Sequence, residues 1–464
     1  MFRTIGDRPS PWEGLLPAEL LRLPEELARV DALLDDPAFF APFAPFFHPV
    51  LGRPSTPIEC YLRLMFLKFR YRLGYESLCA EVSDSISWRR FCRIPLDGRV
   101  PHPTTLMKLT TRCGEAAVAG LNEALWAKAV QAKLLRTVRL RADTTVVPAN
   151  VAYPTDSGLL AKAVGKLVRA ARRVQAAGGA AGTVMTDRRR AAARRVREIT
   201  GKLRVRGKVA REESSAAIAR VTGELADLAE KTASQAAAVL RNGRRALPRT
   251  LTGRMRGRLR RALDELAVAI GRTATVVAQA RSRLAGQMPA SATRLVSLHD
   301  PDARPIRKGR IDRPVEFGYK AQVIDNDDGV IADYAVEAGN PADAPQLAPA
   351  ISRIARRAGR MPRSVTADRS YGEPATDREL EALGVRTVAI PRKAKISPTR
   401  RDIEHARGFR RLVKWRTGCE GRISYLKHRY GWDRTQLDGR HGASIWCGHG
   451  VFAHNLVKIS VLAR

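Results

Sequence analysis

The sequence is poor in acidic residues and in features that would mark a secreted or membrane protein. Its 464 residues contain 46 Asp and Glu against 82 Lys and Arg, a formal net charge of +36. None of the six cysteines forms a C-x-x-C pair, which disfavours a zinc knuckle or a disulfide framework and favours reduced thiols. We find no apolar signal core at the N-terminus and no run of about eighteen uncharged apolar residues, so we expect neither a signal peptide nor a membrane span.

The positive charge favours a polyanionic partner. An excess of this size costs self-repulsion unless a polyanion lies nearby, and binding to phosphates releases counterions. Nucleic acid is therefore the expected partner, with a basic ribosome-associated or solubility-biased surface as the alternative. The chain length suggests two to four domains.

The sequence pattern of the N-terminal third mainly predicts helices. Residues 1–55 are rich in Pro and Leu and predict an irregular packed arm. Residues 56–132 have apolar positions three and four apart with basic residues between them, which indicates an all-α domain. Several of its short basic helices could form a DNA-binding helix-turn-helix, or they could simply pack together as structure.

A second helical segment, residues 161–295, differs in composition. Residues 161–290 hold 30 Lys and Arg against 9 Asp and Glu, and they contain no Phe, Trp, Tyr or Cys. This composition predicts long helices, with a coiled-coil-like character and a poor core of their own. The segment reads as a basic helical insertion, either an arm that grips DNA or a solvated spacer.

The flanking residues, 133–160 and 296–464, predict one α/β domain that the insertion interrupts. Residues 138–147 alternate as a strand, and two strand-like runs surround Asp327–Gly329, a hairpin turn signal. Helices and strands then alternate, and two helices end the chain. The segment HGASIWCGHGVFAHN (residues 441–455) holds three His and one Cys, but the spacing fits no common zinc site, so we interpret it as a packed helix.

Three carboxylates lie at positions in the predicted strands and helices from which their side chains can converge. Asp143 lies in the strand, on the face that carries Arg139 and Arg141, so a plain Asp–Arg surface pair is the alternative interpretation. Asp368, in VTADRSYG, follows a short strand and is otherwise an ordinary turn residue.

The third carboxylate, Glu420, lies in a helix. Steps of four and seven residues place Arg416, Glu420 and Lys427 on one helical face. The simple alternative is an Arg416–Glu420 pair worth about 0.2–0.5 kcal/mol. Three carboxylates together can hold two Mg²⁺ ions for in-line phosphoryl transfer, which requires no nucleophilic side chain.

The motifs resemble those of a known family. RADTTVVPANVAYPTDSG resembles the first-Asp segment of ISNCY-like insertion sequences, and TADRSYG resembles the second-Asp region of the wider group. The spacing of Arg416, Glu420 and Lys427 resembles that group's third-carboxylate signature, although Val413 stands where a Tyr is usual. The chain is thus similar to a DDE transposase of a bacterial insertion sequence.

The resemblance implies a fold and an activity. The fold is an α/β ribonuclease H-like catalytic domain, with an N-terminal all-α domain and an Arg-rich helical insertion after the first catalytic strand. The activity is Mg²⁺-dependent cleavage (with Mn²⁺ as a substitute) at terminal inverted repeats of double-stranded DNA, followed by strand transfer. We expect a homodimer or higher oligomer on DNA, in the bacterial cytoplasm at the nucleoid. The metal ligands are predicted to be Asp143, Asp368 and Glu420; the predicted DNA contacts are Arg416, Lys427, Tyr371 and Arg422.

Two other functions stay open on the sequence alone. A metal nuclease of the same fold would cut DNA and never join it. A regulator descended from a transposase would bind DNA without cutting it.

Overall fold

The computed structural model describes residues 1–4, 11–204, 208–249, 253–307 and 314–463. The chain divides into two compact units. The first comprises Met1–Asn150 and Gly318–Arg464, and the second comprises Val151–Phe317. The second unit is wider at both ends than the insertion predicted at 161–295.

The described residues form fifteen α-helices and six strands, numbered in chain order. The helices are α1 (Ala18–Leu21), α2 (Glu25–Leu34), α3 (Ile58–Arg70), α4 (Tyr75–Asp84), α5 (Ile86–Phe91), α6 (Pro103–Gln131), α7 (Asp156–Ala176), α8 (Arg189–Lys202), α9 (Lys208–Ala246), α10 (Gly253–Leu284), α11 (Ala344–Ala358), α12 (Pro374–Ala382), α13 (Pro398–His405), α14 (Arg407–Arg429) and α15 (Gly439–Leu462). The strands are β1 (Arg139–Pro148), β2 (Arg304–Arg307), β3 (Val315–Asn326), β4 (Ile331–Ala338), β5 (Ser364–Ala367) and β6 (Thr387–Ala389).

The first unit is built on a mixed sheet with β1 at its centre. On one side β1 pairs antiparallel with β3, which pairs antiparallel with β4. On the other side β1 pairs parallel with β5, which pairs parallel with β6. The strand order is therefore β4-β3-β1-β5-β6. Carboxyl ends of the three parallel strands lie at the same edge of this sheet.

The main strands lie where the sequence predicts them. Strand β1 matches the predicted strand at 138–147, and β3 and β4 flank the turn in which Gly329 has φ +72°. The sequence misses β2 and α13, because four and eight residues are too few to show a period.

Helices surround the sheet in the first unit, as the mixed α/β prediction requires. The N-terminal region is helical, and the longest of its helices, α6, is kinked at Gly114. The C-terminal helix α15 packs against α3, α6 and β4. Its apolar residues are buried along nearly its full length, so α15 joins the helical region to the sheet.

The basic second unit has a core of its own, contrary to the expectation from its composition. Helices α7, α8, α9 and α10 pack together around clusters of buried Leu, Val and Ala. Small residues make this possible, because they let the helices approach closely. A Cβ on Gly243 would lie only 2.7 Å from Leu263 and 2.9 Å from Val174. Close contact between helices thus replaces the missing aromatic side chains.

Candidate active site

Asp143 and Asp368 both lie just past the end of the parallel β1–β5 ladder. In the parallel pair β1 and β5, the last paired positions are Ala142 and Ala367. Asp143 is the next residue of β1, and Asp368 is the residue that follows the end of β5. The parallel pairing therefore brings together two carboxylates that are far apart in sequence.

The Asp143 carboxylate is buried and has two hydrogen-bond donors. The backbone N–H of Thr144 donates to Oδ1 at 2.7 Å, and Nη1 of Arg416 donates to Oδ2 at 2.9 Å. The pKa of Asp143 is raised to about 6, chiefly by burial, and the charges of Asp368 and Glu420 contribute to this rise. The Thr144 hydrogen bond and Arg416 oppose the rise in this pKa. Asp143 thus lies within electrostatic reach of both other predicted ligands.

Asp368 begins a tight turn. It caps the short 3-10 helix Arg369–Tyr371, and its Oδ1 accepts the N–H of Ser370 at 3.1 Å. This hydrogen bond fixes the carboxylate at the point where β5 ends. The side chain is partly exposed, unlike that of Asp143.

Helix α14 carries the third carboxylate and packs directly on β1. The contact is close at Gly418, where a Cβ would lie 2.1 Å from Nη1 of Arg141. Arg141 is itself buried, with Nε and Nη2 donating to Asp325 at 2.6 and 2.8 Å and Nη1 donating to the carbonyl of Trp415 at 2.8 Å. The guanidinium of Arg141 also lies 4.6 Å from the centroid of the Trp415 ring. This network fixes the helix against the strand.

Arg416 links two of the carboxylates. Its Nη2 donates to Glu420 at 2.7 Å while its Nη1 donates to Asp143. The intrahelical pair that the sequence leaves open is therefore present, and it extends to the strand. The Glu420 side chain is 59% exposed, so most of this carboxylate remains open to solvent.

The three carboxylates are not gathered into a metal cluster in this conformation. Within the described part of the chain, no group of three or more His, Cys, Asp or Glu side chains is placed to hold a metal ion. A guanidinium cation instead lies between Asp143 and Glu420. Among the described residues, the histidines of α15 do not form a metal-binding group either. His449 and His454 are buried, and burial lowers the pKa of each to about 3.

The other predicted DNA contacts lie elsewhere. Tyr371 is fully buried, and its hydroxyl accepts a hydrogen bond from Gln322 at 3.1 Å. Arg422 points toward the β3–β4 hairpin, where its Nε lies 3.4 Å from Asp325. Lys427 is half-buried near the end of α14. Arg416 contacts two of the predicted metal ligands directly, Asp143 and Glu420.

Sequence reasoning missed the groups that support the site. Asp325 is fully buried and holds Arg141, and Gly418 gives that arginine room beside α14. The glycine in the helical segment RTGCEG was the available signal, because a glycine inside a helix often marks a close approach. Val413, at the position where the family usually has Tyr, packs with Ala389 and Phe409 in a small apolar cluster.

Two family models match the chain. One, described as a transposase domain (DUF772), matches residues 17–112, within the helical region. The other, described as a transposase DDE domain, matches residues 296–456. That second range contains Asp368 and Glu420, while Asp143 lies outside both ranges, on the far side of the insertion.

Other comparisons add little about activity. The chain is 29% identical over 159 residues to an uncharacterized protein, ORF8 in the nfe locus of Rhizobium meliloti; the match covers 32% of this chain and 74% of that protein. No solved structure matches the chain.

The mixed sheet, the helical region and the two matched domains define the class as a transposase. The chain belongs to the DDE transposases of insertion sequences. Proteins of this family act on DNA and generally use divalent metals. Among the described residues, no helix is both long enough and apolar enough to cross a membrane.

Proposed function

We propose that the protein cleaves the terminal inverted repeats of its insertion sequence and joins the freed DNA ends to target DNA. The observation that carries the proposal is the adjacency of buried Asp143 on β1 and partly exposed Asp368 just after β5, with Glu420 linked to Asp143 through Arg416. The sheet order, with an antiparallel pair on one side of β1 and two parallel strands on the other, supports a ribonuclease H-like catalytic domain.

The three carboxylates fit a hard divalent cation by their chemistry. Mg²⁺ prefers oxygen ligands, and the mutual repulsion of Asp143, Asp368 and Glu420 is the electrostatic condition that a bound cation relieves. We therefore infer that these three residues would hold Mg²⁺, or Mn²⁺ in its place. When bound, such ions supply activation of the attacking oxygen and stabilisation of the leaving oxygen.

Arg416 has two roles in this proposal. In the conformation described, it neutralises Asp143 and Glu420, so its guanidinium must move for both carboxylates to bind a metal. Its planar donor set suits a phosphate oxygen, and a DNA phosphate entering the site would offer it another partner. Lys427, seven residues after Glu420 on α14, is proposed to contact the DNA backbone beyond that phosphate. We propose that Tyr371 and Arg422 position the site from within the fold, rather than contact DNA.

Cleavage should depend on the carboxylates. On a labelled duplex that carries the element's end, with Mg²⁺, we expect nicking at the element boundary. Asp143→Ala and Glu420→Gln should each lower the rate on the order of 10³-fold or more, with DNA binding kept. Glu379→Gln, at an exposed glutamate on α12, is the matched control and should cut normally.

The same assay separates the other functions. Joining of the cut end to a second duplex distinguishes a transposase from a nuclease. Full cleavage by Glu420→Gln would contradict the proposed site, and DNA binding without any cleavage by the wild type would favour a regulator. Recovery of paired ends in one complex would test the proposed dimer or higher oligomer.

The second unit is proposed to grip DNA through α7. Lys162, Lys166, Arg169 and Arg173 follow one helical face and line a cavity of about 290 Å³. Lys162 and Arg169 are exposed and have no ion-pair partner in the described part of the chain. This row of charge is the form expected of a backbone-binding surface.

Reversing two charges on this face should weaken DNA binding. We expect Lys162→Glu with Arg169→Glu to raise the dissociation constant for any duplex by about tenfold or more at moderate salt, because the phosphate contact is independent of sequence. The cleavage rate at saturating DNA should change little. Lys231→Glu with Arg241→Glu, at exposed positions on α9, is the charge-matched control. If both double variants weaken DNA binding equally, α7 contributes only through the net charge of the protein and not as a specific binding face.

A further inference from the structure

The loop between β6 and α13, residues 390–397, is bonded to the turn that carries Asp368. The carbonyl of Gly372 accepts the N–H of Lys393 at 3.2 Å. The Arg369 guanidinium donates from Nε to the carbonyl of Arg392 at 2.6 Å and from Nη2 to that of Lys393 at 3.4 Å. We call this segment the β6–α13 loop.

Gly372 makes this close approach possible. A Cβ at that position would lie 1.9 Å from the carbonyl oxygen of Pro391, too close for any side chain. The loop is thus fixed next to the second predicted metal ligand by main-chain contacts. Its side chains therefore have defined positions relative to Asp368.

Some cations of this region are neutralised within the fold. Arg392 pairs with Asp377 at 2.7 Å, and Lys393 pairs with Glu373 at 2.7 Å. Arg400 also binds Asp377, at 3.1 Å. These pairs neutralise Asp377 and Glu373 and stabilise the loop.

Three other cations keep an unbalanced charge. Arg369 on the turn, Lys395 in the loop and Arg401 on α13 are exposed, and none pairs with a carboxylate among the residues that the structure describes. All three line one open cavity of about 700 Å³. Glu404 lines it as well, but its Oε1 already accepts from the N–H of Arg392 at 3.1 Å and from Arg400 at 3.0 Å.

We propose that Arg369, Lys395 and Arg401 bind the DNA backbone that continues past the phosphate cleaved at the proposed metal site. The inference rests on the proposed function, because the active site has to receive DNA. Three cations from three segments, converging on an open cavity next to a predicted metal ligand, suit a chain of phosphates. A duplex carries one negative charge per about 1.7 Å of its axis, so phosphates necessarily lie beside the cleaved one. The β6–α13 loop is therefore a positioning surface for the cleaved strand.

The salt dependence of DNA binding tests this surface in the full-length protein. Each phosphate contact contributes about 0.9 to the slope of log affinity against log salt. For Lys395→Glu with Arg401→Glu, we expect the slope to fall by about 2. Between 50 and 200 mM salt, this variant should then lose about tenfold less affinity than the wild type does. The probe is a duplex of arbitrary sequence, and cleavage of the element's end is measured in parallel.

A matched pair provides the control. Arg356→Glu on α11 with Arg378→Glu on α12 makes the same change in net charge at exposed residues. This control should leave the slope close to the wild-type value. The first variant should also raise KM for cleavage while the rate at saturating DNA changes little, as expected for a positioning surface.

The outcomes distinguish this inference from the proposed function. An unchanged slope in Lys395→Glu with Arg401→Glu, in a protein whose wild type cleaves, would overturn the inference alone. A reduced slope in a protein that never cleaves would support the surface and overturn the proposed activity. A wild type without any DNA binding would overturn both.

Discussion

Asp143→Asn is expected to stabilise the metal-free protein at pH 7.5 while abolishing its cleavage. Burial raises the pKa of Asp143 from 3.8 to about 6 in the folded state. A carboxyl whose pKa is raised on folding stabilises the fold below its unfolded pKa, and this contribution is lost as the pH rises through the folded pKa. Ionised Asp143 therefore costs up to about 3 kcal/mol at pH 7.5, at 1.36 kcal/mol per pKa unit. Asn avoids this cost.

Urea denaturation in EDTA can measure the effect on the first unit specifically. The six Trp residues all lie within residues 1–150 and 318–464, so Trp fluorescence reports the unit that contains β1. The gain from Asp143→Asn should shrink at pH 5, where wild-type Asp143 is mostly protonated. Asp402→Asn, at an exposed position on α13, is the control and should change stability little. A destabilised Asp143→Asn at pH 7.5 would contradict the electrostatic account of the site.

Gly418→Ala and Gly421→Ala are expected to change stability in opposite directions, although both lie in α14. Ala at 421 meets no atom within 4 Å and should stabilise by about 0.5–1 kcal/mol through helix propensity. Ala at 418 would lie 2.1 Å from Nη1 of Arg141. That guanidinium cannot move cheaply, because it neutralises fully buried Asp325. Overpacking of this kind costs about 1–3 kcal/mol.

Both variants make the same Gly→Ala change in the same helix, so a difference in their stability reports the surroundings of the two positions. Trp fluorescence in urea should rank Gly421→Ala above the wild type and Gly418→Ala below it. Gly418→Ala should also slow cleavage, since it displaces the helix that carries Glu420. Equal stabilities of the two variants would show that α14 does not rest on Arg141 as described.

The strands at the centre of the fold were predictable because their patterns are local. The alternation around Asp143 and the turn at Asp327–Gly329 need only a few neighbouring residues to be recognised. The intrahelical pair of Arg416 and Glu420 follows from spacing alone. The candidate metal ligands Asp143, Asp368 and Glu420 could be predicted from their residue types and their positions in these elements.

The environment of the site was not predictable, because it depends on contacts distant in sequence. Sequence places Arg141 on the same strand face as Asp143, but its partner is Asp325, 184 positions away. Tyr371 is two residues from an exposed arginine and is nevertheless buried against Gln322. The core of the basic unit was missed for a related reason: interlocking of small residues, such as Gly243, is visible only once the helices are packed.

The pairing of β1 with β3 shows how the chain can carry the basic unit as an insertion between these two strands. Pro148 of β1 pairs with Gly318 of β3, so the chain leaves the ladder and returns to it at facing positions. Antiparallel strands at such positions can be joined by a turn of two residues. Residues 151–317 are thus topologically an enlarged hairpin loop. Growth or loss of this loop during evolution would leave the register of β1, and with it the place of Asp143 beside Asp368, unchanged.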